Sequence, residues 1–250
     1  MSAFALISDL HSNLQAVEAV FHRIDQLGIR DVRCLGDIVG YGADPLAVTR
    51  IVMERCQWSL LGNHDWGLFH SLDEFNPLAR DALLHSRSRL QPVWWSPQRR
   101  AAWNFLRSLA PERSDGEYLY FHGSPRDPVM EYVMRSDGLL EPEKLRQIFQ
   151  RIDRPTFVGH THWPGVHWPT HQFEAACDAR SRFRIDRIPC IVNVGSVGQP
   201  RDGDPRACFA VVSHGEVEFH RVAYDVATAQ ARILAAGLHP ALAERLGRGK

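Results

Sequence analysis

Five short apolar runs in this chain each end in aspartate, histidine or asparagine: "FALISDLH", "VRCLGD", "SLLGNHD", "YLYFHG" and "TFVGHTH". Such runs, bounded by turn residues, read as buried strands. Helical spacing fills the first gap, with Leu14, Val17, Val20, Phe21, Ile24 and Leu27 apolar and Gly28 placed to end the helix. "PLAVTRIVMERC" fills the second, with Pro45 in its first turn. Strand, helix, strand at this rhythm implies right-handed crossovers and a parallel sheet. Ligands of such sheets bind at the carboxyl ends of the strands. Asp9, His11, Asp37, Asn63, His64, Asp65, His122, His160 and His162 are therefore expected to converge.

Residues 66–115 break the rhythm with two helix-like stretches, "RDALLHSRSRL" and "QRRAAWNFLRSLAP", so a small helical, cap-like insertion is expected there. It either overhangs something or is structural padding. A helix at about 141–153, a hairpin turning at His214 and Gly215 and a helix "VATAQARILAAG" complete the pattern. With no repeat or linker, residues 1–250 read as a single domain.

Lysine plus arginine equals aspartate plus glutamate at 29 each, so no overall field draws the chain to nucleic acid or a membrane surface, and neither is expected as a partner. The apolar run near the N-terminus is too short to span a bilayer and lacks a basic lead-in, which makes a cytoplasmic protein the expectation. Five scattered cysteines without a C-x-x-C pair fit reduced, mostly buried side chains. The sequence does not bear on oligomeric state.

An empty cluster of carboxylates and imidazoles would leave buried polar groups unpaired or force their protonation, at several kcal/mol each. A divalent metal removes the problem, and this donor set suits manganese first, with iron, zinc, nickel, cobalt or magnesium as alternatives. The donors are too many for one tetrahedral ion, which takes about four. Two ions about 3.5–4 Å apart, sharing a carboxylate, accommodate them.

"DLH", "GDIVGYG", "GNHD", "FHG" and "GHTH", in that order, together with "NVGSVGQPRDGDPRA", resemble the signature of the calcineurin-like metallophosphoesterases, in their bacterial small-phosphoesterase and diadenosine tetraphosphatase-like branch. The resemblance implies an α/β fold, a two-sheet β-sandwich flanked by helices in four layers. Carried over, Asp9, His11 and His162 would bind the first ion, Asp37 would bridge, and Asn63, His122 and His160 would bind the second. His64 would stay off the metals and protonate the leaving group as general acid, with Asp65 orienting it. The two ions outweigh Asp9, Asp37 and a bridging hydroxide by about one positive charge, and that hydroxide would attack phosphorus.

Gly40 and Tyr41 stand where the protein phosphatases of the wider family carry aspartate and arginine, which counts against dephosphorylation of proteins. Tyr41, Arg126, Arg201 and Asn13 are candidate substrate contacts. The competing readings are ion pairs for the arginines and a helix cap for Asn13. Trp66, Trp94, Trp95, Trp103, Tyr132 and Trp163 either hold the helices together or stack a nucleobase. Asn193 is expected to fix a turn beside the site, and His167 and His171 read as loop histidines. The expected substrate is a small phosphodiester, a nucleotide or a dinucleoside polyphosphate. The rivals are a phosphomonoesterase acting on proteins or small molecules, and a metal-binding scaffold without catalysis.

Overall fold

The computed structural model describes residues 3–177 and 181–250. Along the chain run β1 (Phe4–Ile7), α1 (Leu14–Gln26), β2 (Asp31–Cys34), α2 (Pro45–Arg55), β3 (Trp58–Ser59), α3 (Asn63–Gly67), α4 (Pro77–Leu90) and α5 (Pro97–Arg107). Next come β4 (Glu112–Ser114), β5 (Leu119–Phe121), α6 (Asp137–Leu140), α7 (Pro142–Phe149), β6 (Thr156–Val158), β7 (Gly165–His167) and β8 (Phe173–Ala175). Then follow β9 (Arg182–Arg184), β10 (Ile191–Asn193), β11 (Ala207–Ser213), β12 (Glu216–Val222), α8 (Val226–Ala235) and α9 (Pro240–Arg248).

Two six-stranded sheets result, ordered β3-β2-β1-β11-β12-β9 and β4-β5-β6-β10-β7-β8. The expected parallel rhythm holds only for β1 with β2, β2 with β3, β5 with β6 and β6 with β10; the other pairs are antiparallel. The parallel rhythm therefore covers only part of each of two mixed sheets, because the later strands return through short turns rather than helices. The β11–β12 hairpin turns at His214 and Gly215, both with positive φ (51° and 77°), as a two-residue hairpin turn requires.

The strand period of two separates the layers. Phe4 and Leu6 of β1 face the second sheet, in a core shared with Phe157, Val192, Ala210 and Phe219. Ala5 and Ile7 face the other way, onto Val17, Val20 and Ile24 of α1 and Val48 and Val52 of α2. Leu83, Leu90, Ala102 and Leu106 of α4 and α5 join that same core. The outer face of the second sheet packs Val158 and Ile191 against Leu145 and Ile148 of α7. The order of layers is helices, sheet, sheet, helix, as the four-layer expectation had it. No helix among the described residues is long and apolar enough to cross a membrane.

Candidate metal centre

The loops after β1, β2, β5 and β6, together with the start of α3, meet between the two sheets. Asp9, His11, Asp37, His122, His160 and His162 are at most 3% exposed there, and Asn63 is 8% exposed. Backbone bonds lock the loops together. Leu10 and His11 donate to the carbonyl of Asp37, Gly159 donates to that of His122, and Gly198 donates to that of Asp9. Asn193 holds the "GHTH" loop by donating to the carbonyl of Gly159 and to Thr161 Oγ1.

Five of the seven candidate ligands, Asp9, His11, Asp37, His160 and His162, sit in the left-handed region with φ between 46° and 67°. That conformation costs an ordinary residue about 1–3 kcal/mol and gathers at functional sites. It turns each side chain out of the strand direction and into the crevice. Gly62 is needed for space, since a Cβ there would collide with Asp37 Oδ1.

The ring nitrogens show a consistent arrangement. His11, His122 and His162 point Nδ1 at the carbonyls of Val39, Leu35 and Gln199, at 3.1, 3.0 and 2.5 Å. His160 points Nε2 at the carbonyl of Met130, at 3.1 Å. A carbonyl only accepts, so each of these nitrogens carries the hydrogen and the other keeps its lone pair. The lone-pair nitrogens face inward. His11 Nε2 lies 3.1 Å from His162 Nε2, and His122 Nε2 lies 3.2 Å from His160 Nδ1.

Carboxylates complete two groups of donors. Asp9 Oδ1 is 3.1 Å from His162 Nε2 and 3.9 Å from His11 Nε2. Asp37 Oδ2 stands between the groups, 3.6 Å from His11 Nε2 and 3.4 Å from His122 Nε2. Asn63 Oδ1 approaches His122 Nε2 at 3.3 Å. The donor atoms of Asp9, His11 and His162 lie within 4.8 Å of one another, as do those of Asp37, His122 and His160. Facing lone pairs and carboxylate oxygens repel unless a cation lies among them, and imidazole, carboxylate and amide oxygen suit a first-row divalent ion. The donor set therefore fits the metal pair expected from the sequence.

The charges agree with that picture. Burial and the His64 charge push His11 well below its ordinary value, and burial with the His122 charge takes His160 down to about 3. Asp37, against its burial, is held well below the carboxylate range by His122 and His64. Burial opposes protonation of His122 as well, but Asp37 and Asp9 lift it to about 9. The carboxylate charge beside His122 is the cause, and a cation held among these groups would displace that proton and free the inner Nε2 lone pair.

His64 differs from these four. Its ring lies beside His11 and Tyr41, with centroids 4.8 and 4.6 Å away, yet its buried Nδ1 has no hydrogen-bond partner among the described residues. A side chain at position 40 would collide with that nitrogen, so Gly40 makes room for the ring. Asp65 does not orient it, which corrects the sequence expectation. The Asp65 carboxylate is consumed by the backbone N–H groups of Ile38, Val39 and Gly62, at 3.0–3.3 Å. Its position inside the turn of α3 aims it at the β2 loop, away from the imidazole one residue earlier.

The candidate substrate contacts divide. Asn13 caps α1, accepting from Ala16 N, and spends its amide N–H on the carbonyl of Gly198 and on Tyr224, which corrects its placement among substrate contacts. Arg126 is corrected likewise, because Glu131 and Gln147 take its guanidinium. Tyr41 and Arg201 do border the cluster. Tyr41 packs 4.7 Å from His11, and the Arg201 guanidinium lies 5.8 Å from the Tyr41 ring. Arg245 of α9, which the sequence did not single out, lies 5.6 Å from that same ring.

Of the aromatics, Trp66 stacks on His70, Trp103 packs edge-on to Phe69, and Trp94 and Trp95 are exposed. Tyr132 stacks on His160 at 3.6 Å, and Arg135 covers Trp163. His167 is a buried strand residue of β7, not a loop histidine, since β10 and β8 flank it.

The model of the calcineurin-like phosphoesterase superfamily domain matches residues 3–217. The protein MJ0912 of Methanocaldococcus jannaschii is 33% identical over 263 residues, covering 100% of this chain and 99% of that one. The crystal structure of a metallophosphoesterase from Sphaerobacter thermophilus is 36% identical with a TM-score of 0.84, covering 99% of each chain. The protein PH1004 of Pyrococcus horikoshii shares the fold at 18% identity, with a TM-score of 0.79 over 100% of this chain and 99% of that one.

Proposed function

Since the chain belongs to the calcineurin-like phosphoesterase superfamily, we propose that its buried cluster holds two divalent metal ions and hydrolyses a phosphate ester or anhydride of a small substrate. The observation that carries this reading is the set of four imidazoles tied to carbonyls on the outside and facing each other with lone pairs inside. Asp9, His11 and His162 would hold one ion and Asn63, His122 and His160 the other, with Asp37 between. Manganese is the first candidate. When bound, the ions supply Lewis acidity toward phosphoryl oxygens and bring the pKa of water to about 7.

The chain's own groups do the rest. His64 has no carbonyl anchor and can turn toward a leaving oxygen. Burial and the nearby charge of Arg201 hold it at about 4, against the pull of Asp37, so it is neutral without substrate. A phosphate anion beside the ring favours its protonation. The proton then stands ready for the departing oxygen. Arg201 adds positive charge beside the Tyr41 ring, at the border of the cluster. A small phosphodiester, a nucleotide or a dinucleoside polyphosphate suits this arrangement. Gly40 and Tyr41 in place of a phosphate-gripping arginine weigh against a protein substrate. The five unpaired cysteines fit a reducing compartment, which supports a cytoplasmic protein.

The test is a manganese-supplemented screen of a generic diester, a generic monoester, cyclic nucleotides and dinucleoside polyphosphates. Metal-dependent turnover of at least one is expected. Two bound ions with no hydrolysis of any would leave the scaffold reading instead.

A further inference from the structure

Arg201 and Arg245 come to the same ring from different parts of the chain, one from the loop before β11 and the other from the last turn of α9. Both are half-buried. The carboxylates near them in sequence are taken elsewhere: Asp202 pairs with Arg221, Asp204 with Arg206, and Glu244 with Arg248. Neither Arg201 nor Arg245 pairs with an aspartate or glutamate among the described residues; Arg245 Nε donates to the main-chain oxygen of Lys250 at 2.8 Å, and its guanidinium also hydrogen-bonds Tyr41. Gln199 adds a third donor. Its Oε1 accepts from Arg201 Nε and Nη2 at 3.3 and 2.9 Å, which fixes which end of the amide is oxygen. Its Nε2 is buried with no acceptor among the described residues, and the side chain lines the crevice shared by His11 and Tyr41.

Two neighbouring guanidinium groups without an acidic side chain between them, beside an orphaned amide N–H, ask for an anion, because a buried donor without a partner is costly and like charges repel. We propose that Arg201, Arg245 and Gln199 form an anion subsite beside the catalytic cluster that takes a second phosphoryl group of the substrate. The inference rests on the phosphoesterase reading for the first phosphoryl group. It narrows the substrate to molecules carrying at least two phosphoryl groups, and it makes α9 a part of the binding site. Gln199 ties the two halves together, since its carbonyl accepts from His162 while its side chain holds Arg201. The charge crowding is visible at Arg245, which burial and the Arg201 charge push below its usual value.

The probes are inorganic phosphate and inorganic pyrophosphate, titrated into the full chain at a fixed free manganese concentration. The native chain is expected to prefer pyrophosphate. Arg245→Gln lies on the polar side of a helix anchored by Leu242 and Leu246, and should cut that preference by about tenfold or more, the usual weight of a charge-assisted contact. Arg245→Lys, which keeps the charge and loses the fork, should restore part of it. Arg201→Gln should act in the same direction as Arg245→Gln. An unchanged ratio in Arg245→Gln, with melting as in the native chain, or equal weakening of both anions, overturns the subsite. Failure of the native chain to hydrolyse any ester while the preference still depends on Arg245 would remove the catalytic reading and leave the subsite standing.

Discussion

His64 and Asp65 are sequence neighbours with separate tasks. Removing the imidazole by His64→Ala takes away a proton donor but no lone pair from either donor group, so metal content should stay while turnover falls by about 10²–10⁴-fold. Loss of metal in parallel with activity would instead make His64 a ligand, a role its proximity to His11 and Asp37 allows it to compete for. Asp65→Ala strands three buried N–H groups, at about 1–3 kcal/mol each, and should lower denaturant stability by several kcal/mol. Asp65→Asn keeps an acceptor oxygen and should lose much less. The seven candidate ligands were legible because each follows an apolar run. The partner of Asp65 was not, because one residue of separation in a helical turn sends neighbouring side chains about 100° apart.

At the scale of elements, α9 was the largest omission. Its "HPALAERLGRG" has Pro240 at the first position and Gly249 at the end, in the left-handed conformation, so the boundary signals were present. Its apolar positions are few, and they pack on Ile233 of α8 and Ala82 of α4 rather than on a sheet. Leu242→Ala should cost about 2–5 kcal/mol in a denaturant melt, as a fully buried leucine does. A cost below 1 kcal/mol would mean that α9 is only loosely attached. The strands β4, β7, β8 and β9 escaped notice for another reason. Three residues carry too little alternation to announce a strand, and such segments extend only because a neighbouring strand offers hydrogen bonds. The strand–helix alternation describes one edge of the first sheet and the middle of the second, and not the antiparallel remainder.

The whole molecule responds to pH through the same cluster. Burial lowers His11, His64, His160 and His162 from the ordinary 6.5, His64 to about 4 and His160 to about 3. As pH falls below 6.5 the unfolded chain takes up protons that the folded chain refuses, so stability falls with pH. His122, raised to about 9, works the other way: its contribution is complete below 6.5 and is lost as pH rises through 9. Chelator-treated protein should therefore melt at a lower temperature at pH 5 than at pH 7. An equal or higher melting temperature at pH 5 would contradict this balance.

The central claim is that the crevice between the sheets is built for a pair of ions with Asp37 between them. Elemental analysis of chelator-treated protein reloaded with manganese, with and without Asp37→Asn, tests it most directly. Two ions per native chain are expected, with the pair lost in Asp37→Asn. Full retention of two ions by Asp37→Asn, or no bound metal in the native chain, would contradict it.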